Sequence, residues 1–313
     1  MSQNLTPMEP LSVGNIVSAG LRIYRDHFKS YFGISIIASL WSFFPFLTLI
    51  PIPLLFIYDQ PGNPALLALI PLWLLLFLYC TGKSIVNGVI IARLVFGELT
   101  NQPEAVGDVR RILNPKIWSF LLAFFLLFLI IIGVWLGLFL GIGIIAAIIG
   151  AIGSVVQQNF VAIGIGVLIG IGIFVISLSF IIRLLTRFFI IDMPLAVEEN
   201  ITATKTLGRS WKLTKGYVAR IFIILFVATL VSIPIGVIMQ FIAGTIQVIV
   251  FENLPVETTD PSVQLLSILM GYTIGILGNI FLLPFWQAIK AVIYYDLRTR
   301  REGMGLELRK REV

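Results

Sequence analysis

The chain has 313 residues, of which 58% are hydrophobic and 12% charged, and its mean hydropathy is +1.01. Soluble domains carry about 25% charged residues, so half that share cannot cover a water-facing surface; a soluble globular protein is excluded and a multi-pass, all-α membrane protein is expected. The net charge of +6 would point to nucleic acid in a soluble protein, but here the cations cluster around apolar runs, as they do in membrane proteins.

Residues 1–10 are polar, contain Pro7 and Pro10, and read as a flexible tail. Over 11–30 the spacing predicts an amphipathic interfacial helix capped by Ser12. Val13, Ile16, Val17, Gly20, Leu21, Tyr24 and Phe28 share one face, and Arg22, Arg25, Asp26 and Lys29 the other. No apolar core followed by a small-residue cleavage site appears in this region, so no cleavable signal is expected. His27, the single histidine, reads as solvated or interfacial.

A first span is predicted over 31–58, where Pro45, Pro51 and Pro53 call for a kink or an unwound outer end. The turn from Asp59 to Pro64 holds no Lys or Arg. A second span covers 65–96 and contains Cys80, the only cysteine; one cysteine excludes an intramolecular disulfide and a thiolate metal cluster. Asn101 to Lys116 reads as a polar loop. The stretch from Ile117 to Ile191 is too long for one crossing and breaks at Gln157-Gln158-Asn159, giving a hairpin of spans over 117–150 and 160–191. Gly133, Gly137 and Gly141 recur every fourth residue, as do Gly166 and Gly170. Such rows let helix backbones approach closely in lipid; the other reading is that Ile/Gly-rich runs produce them by chance.

Asp192 to Arg220 is the longest polar segment. It predicts one helix over 194–215, with Pro194 in the first turn, Glu198 and Glu199 near the positive end, Lys212 and Lys215 near the negative end, and Gly216 as a left-handed stop. Val197, Ile201, Thr204, Leu207, Gly208 and Trp211 fall on one side, beside a basic stripe of Lys205, Arg209 and Lys212. An apolar stripe with an aromatic anchor next to a basic one suits a headgroup boundary with anionic lipid; the rival placement packs the apolar face under neighbouring spans as a brace. The fifth span covers 217–250 with Pro234 inside it, a turn with Glu252, Glu257 and Asp260 follows, and the sixth span covers 264–295 before a basic tail over 297–313.

Orientation follows from the cations. Three lie in the first helix, five between Lys83 and Lys116, seven between Arg183 and Arg220 and seven from Lys290 onward, which accounts for all 22; the three intervening turns hold none. By the positive-inside rule both termini and both amphipathic helices are cytoplasmic. Leu21-Arg-Ile-Tyr-Arg25 is similar to Gly208-Arg-Ser-Trp-Lys212, and Pro45 and Pro234 follow at nearly equal distances. This is either a parallel internal repeat or the ordinary likeness of two interfacial helices.

Catalytic chemistry has little to work with. The spans offer Asn87, Gln240, Gln247, Asn279 and Gln287 but no carboxylate near mid-membrane, where coupled carriers usually place one. Gln240 and Gln247 either line a path or satisfy each other across helices. Arg183 and Arg187 are placed to snorkel to headgroups. Gly164-x-Gly166 is not a nucleotide loop, because no strand precedes it. No metal, cofactor or nucleic-acid site is expected, and the lipid-interface candidates are Arg22, Arg25, Lys29, Lys205, Arg209, Trp211 and Lys212.

Three motifs carry a family resemblance: Pro194-Leu-Ala-Val-Glu198, Gly208-Arg-Ser-Trp-Lys-Leu-Thr-Lys-Gly216 and Tyr294-Tyr-Asp-Leu-Arg-Thr-Arg-Arg-Glu-Gly303. Over essentially its whole length the chain resembles the membrane domain found beside glycerophosphoryl diester phosphodiesterases, which also occurs as stand-alone bacterial proteins. The resemblance implies a bacterial inner-membrane domain without a reaction of its own. The phosphodiesterase reaction belongs to a separate barrel of about 250 residues that uses histidines and metal-binding carboxylates, and no catalytic residue of it maps here. The expected function is a non-catalytic scaffold or accessory subunit that organises lipid or a protein partner at the cytoplasmic face; the alternative is a carrier or flippase for a lipid or small amphiphile.

The topology can be tested in a Cys80→Ala background. Cysteines placed at Asn63, Gln158 and Thr259 are expected to react with an impermeant thiol reagent on intact cells, and ones at Gln102 and Thr206 are not; labelling at Thr206 from outside would overturn the six-span arrangement.

Overall fold

A computed structural model describes residues 11–49, 64–156, 159–252 and 261–303, and in these every regular element is helical. Ser12 starts the first helix as its type suggests. Its backbone is extended and its hydroxyl accepts the Asn15 N–H at 3.2 Å, opening α1 (Val13–Asp26). This helix is shorter than expected and stops at His27, after which α2 (Phe28–Leu49) follows almost without pause. Its inward face is Ile16, Val17, Gly20, Ile23 and Tyr24, whereas Leu21 and Phe28 of the expected apolar face are exposed. Helix α2 passes through Pro45 unbroken; the expected irregularity at Pro51 and Pro53 lies outside the described residues.

Helix α3 (Pro64–Leu99) spans the second predicted segment and ends in a Schellman closure. Asn101 is left-handed at φ 55°, its N–H reaches the Glu98 carbonyl at 3.2 Å, and the Gln102 N–H reaches Gly97 at 2.7 Å. The loop expected over 101–116 instead contains α4 (Val106–Leu113) and a 3₁₀ turn (Asn114–Lys116). Eight residues are too few for a clear period, yet Val109 and Leu113, one turn apart, are fully buried. The hairpin is present as α5 (Ile117–Val156) and α6 (Asn159–Phe188), with Gln157 and Gln158 of the expected break outside the described residues.

The polar segment departs most from expectation. It forms two helices, α7 (Asp192–Val197) and α8 (Ala203–Thr214), with Asn200 left-handed at φ 57° between them. The Thr202 hydroxyl accepts the Lys205 N–H at 3.4 Å and starts α8 afresh, so local side-chain bonding overrides continuation of the helix. Gly216 does take a positive φ, 84°, but as the third residue of a type II turn closed from the Tyr217 N–H to the Thr214 carbonyl at 3.0 Å. Helices α9 (Val218–Glu252) and α10 (Pro261–Glu302) complete the chain, and residues 253–260, where Glu257 and Asp260 were expected in a turn, lie outside the described set.

Among the described residues six segments are long and apolar enough to cross a membrane. They pack unevenly along their length. Helix α10 is the hub, touching α1, α2, α3 and α9, and from Phe285 to Leu297 it is buried on almost every side. Ile90, Ile91 and Val95 of α3, Phe120 of α5, Met193 and Leu195 of α7 and Leu213 of α8 share its core. This core lies at the basic end. Away from it the helices offer apolar surface outward; in the most apolar stretch of the segment Val106–Ala151 only 6% of residues are buried, against 44% for Ile70–Leu99.

The glycine rows do not pack. A Cβ at Gly133, Gly137, Gly141 or Gly170 would meet nothing within 4 Å, and at Gly166 it would make only ordinary contact with Ile149 at 3.4 Å. The close-approach reading is therefore corrected: the row meets no neighbouring helix and faces outward. Tight glycines sit elsewhere. At Gly97 a Cβ would lie 2.6 Å from the Gln102 carbonyl oxygen, which the Schellman closure holds in place. Gly97→Ala is expected to cost about 1–3 kcal/mol, while Gly141→Ala is expected within about 0.5 kcal/mol of the wild type or slightly above it; unfolding midpoints of the two proteins in one detergent compare them directly.

Candidate functional site at the basic end

Charged side chains converge where the core is densest. Asp296 is 2% exposed and accepts three donors: the Leu11 N–H at 2.9 Å, Arg300 Nε at 2.9 Å and Arg220 Nη2 at 3.3 Å. Both arginines also donate to the Leu11 carbonyl. Leu11, just ahead of the Ser12 cap of α1, is thus held at both its backbone groups by side chains from α9 and α10. The four-residue spacing of Asp296 and Arg300 suggests a weak intrahelical pair by itself; burial and the second arginine make it a junction of three helices.

A second junction joins all three motifs. Glu198 accepts Arg209 Nε at 2.9 and 3.2 Å and the Tyr294 hydroxyl at 2.5 Å. Arg209 also pairs with Glu302 at 2.5 Å, and Glu302 accepts Arg298 at 2.9 Å. Burial works against the charge on Arg209, yet its hydrogen bond to Glu198 and the Glu198 and Glu302 carboxylates outweigh it and hold its pKa above the ordinary guanidinium value. Arg301 donates to the Lys215 carbonyl from the same helix end. Arg300 and Arg301 therefore link α10 to other elements, while Arg298 pairs within its own helix.

Three cations secure α7. Lys290 Nζ lies 2.7 Å from Asp192, itself 2% exposed. Arg93 grips Glu104 with two bonds of 2.6 and 2.7 Å and donates to the Ala196 carbonyl at 2.6 Å, and Lys116 donates to Leu195 at 3.0 Å. Helix α7 ends there, so these cations meet carbonyls that lack helical partners. On the other side of α7, Thr206 donates to the Ile191 carbonyl at 2.7 Å and Ser210 to the Arg187 carbonyl at 2.6 Å. These hydroxyls explain why α8 turns Ala203, Thr206, Ser210, Leu213 and Thr214 inward and leaves Thr204, Gly208 and Trp211 exposed, so that side is not packed as the brace placement would have it.

The predicted site residues separate into four groups. Arg22, Arg25, Lys29, Lys205, Trp211 and Lys212 are exposed, with Arg25 also 3.5 Å from Asp26. Arg209 belongs to the Glu198 junction, so its charge is already matched inside the protein. Gln240, Gln247 and Asn279 line one open cleft of about 350 Å³ between α9 and α10. Gln287 lies away from it, buried, with its amide nitrogen 3.0 Å from where a Cβ on Gly88 would sit. His27 lies 3.1 Å from Glu98. Sequence reasoning missed the Glu198–Arg209–Tyr294 meeting and the Lys290–Asp192 pair; their one signal was the presence of charge within or beside long apolar runs.

Chemically the junctions pair acids with bases and cap helix ends. Among the described residues no group of three or more His, Cys, Asp and Glu could hold a metal ion. No family model, no curated protein and no solved structure matches the chain.

Asp296→Ala would leave two arginines and a backbone N–H without their acceptor, and is expected to destabilise the protein by about 3–5 kcal/mol, as breaking one side of a buried pair does. Thermal unfolding in detergent measures this; a change no larger than that of Asp26→Ala, at an exposed pair, would show that the junction is solvated. Thr206 is fully buried, so Lys205 replaces it as the exposed position for thiol labelling.

Proposed function

We propose that the protein is a non-catalytic multi-pass scaffold or accessory subunit that organises lipid or a protein partner at the cytoplasmic face of a bacterial inner membrane, as a relative of the phosphodiesterase membrane domain. One observation carries this reading: the buried carboxylates at the basic end all serve to tie helices together, while the α5–α6 hairpin leaves nearly all its apolar surface outside the bundle. Buried ionisable groups in carriers lie along a path and change partners; here Asp192, Glu198 and Asp296 hold fixed helix ends. The exposed Lys205, Trp211 and Lys212 of α8 add a basic and aromatic face suited to headgroups.

A specific feature supports the carrier as the second reading. Gln240, Gln247 and Asn279 share a cleft with Gly236, Gly271 and Gly275, a polar notch in an otherwise apolar stretch.

Reconstitution separates the two. As a scaffold, the protein purified in native-lipid nanodiscs is expected to retain specific lipids or a partner by mass spectrometry and cross-linking, and proteoliposomes are expected to flip labelled phospholipid no faster than empty vesicles. Faster flipping that Gln240→Leu with Gln247→Leu abolishes would establish the carrier instead.

A further inference from the structure

We propose that the cleft between α6 and α9 at the basic end binds one anionic phospholipid, with its phosphate held by Arg183 and Arg187. The cleft measures about 660 Å³, and no Asp or Glu lines it. Its two arginines are four residues apart on one face of α6, where like charges repel unless an anion lies between them. In contrast with them, Arg93, Arg209, Arg220, Arg298 and Arg300 each meet a carboxylate.

Arg187 is already positioned. Its guanidinium carbon stands 3.8 Å from the centre of the Trp211 ring, a stacking arrangement that fixes the plane of the fork. Its Nη1 is shielded from solvent and has no hydrogen-bond partner among the described residues. The guanidinium as a whole lines the cleft, and its planar fork matches a phosphate, which accepts several charge-assisted bonds at once. Across the cleft Gly216, Val218 and Ala219 form the wall. These are small residues at the start of α9, where the first backbone N–H groups lack helical partners and add to the attraction for an anion.

The rest of the cleft selects a lipid over a soluble phosphate. Val175, Leu178 and Phe222 line its other end and are 57%, 46% and 42% exposed. Arg187 and Val175 are separated by about 18 Å along the helix, so a headgroup at the arginines would lay an acyl chain along the apolar part. This direction, headgroup at the basic end and chain toward the apolar middle, is that of a lipid in the leaflet on that side.

The inference names the ligand class for the lipid-organising reading and rests on it for the purpose of binding. The test uses the full chain in detergent with phosphatidylglycerol, phosphatidylcholine or glycerol 3-phosphate added, read by native mass spectrometry and by the unfolding midpoint. Phosphatidylglycerol is expected to stay bound as one molecule and to raise the midpoint, and the other two to do neither. Arg183→Gln, at an exposed side chain, is expected to lower retention about fivefold, the equivalent of one cation near an anionic surface, and Arg183→Lys to keep most of it. Ala219→Phe, which fills the cleft from the opposite wall without changing charge, is expected to give the same loss. Equal retention of phosphatidylcholine, unchanged retention in Arg183→Gln, or displacement by glycerol 3-phosphate at the same concentration would each overturn the site. Phospholipid flipping with Arg183-dependent retention intact would remove the scaffold reading and leave the site standing.

Discussion

The carboxylate of Asp296, almost sealed from solvent, is the contact on which the bundle depends. It joins Leu11 ahead of α1, Arg220 of α9 and Arg300 of α10, three elements far apart in the chain. A buried charge without partners is costly, so this site admits one arrangement of the three helices and penalises others. Ile289, Val292 and Tyr294 of α10 then form the core around it. Arg209 repeats the principle a short way off by holding Glu198 and Glu302 together.

Such junctions matter more where the hydrophobic effect cannot hold helices together. Lipid tails are as apolar as leucine, so helices within a bilayer associate through packing and polar contacts. The molecule follows that division. Its side chains interlock at the basic end, where polar partners are available, and its apolar stretches are the least buried, most of all in the segments Val106–Ala151 and Gly166–Val197. An outward glycine row fits this: Gly133, Gly137 and Gly141 leave a smooth surface.

Helix α8 shows how a local rule can be right and still leave the inward face undecided. The segment is polar, helical and bears a basic stripe, as its composition indicates. Which face turns inward depends on carbonyls of Arg187 and Ile191 that sequence spacing cannot place nearby; once they are there, Thr206 and Ser210 are worth more inside than Trp211. The same rotation sets Trp211 over Arg187.

From the sequence alone came the all-helical class, the six long apolar segments, the Ser12 cap and the positive φ of Gly216, because each depends on residue type and local spacing. The break after Val197 was readable in principle from Asn200 and Thr202, but the dipole pattern of a continuous helix outweighed it. Tertiary structure alone decided that the Pro194–Glu198, Gly208–Gly216 and Tyr294–Gly303 motifs meet, that Asp296 is a three-helix junction and that the glycine row is open. The reason is physical: an ion pair such as Glu198 with Arg209 or Asp192 with Lys290 has no period or spacing, and exists only after distant helices have brought both partners out of water together.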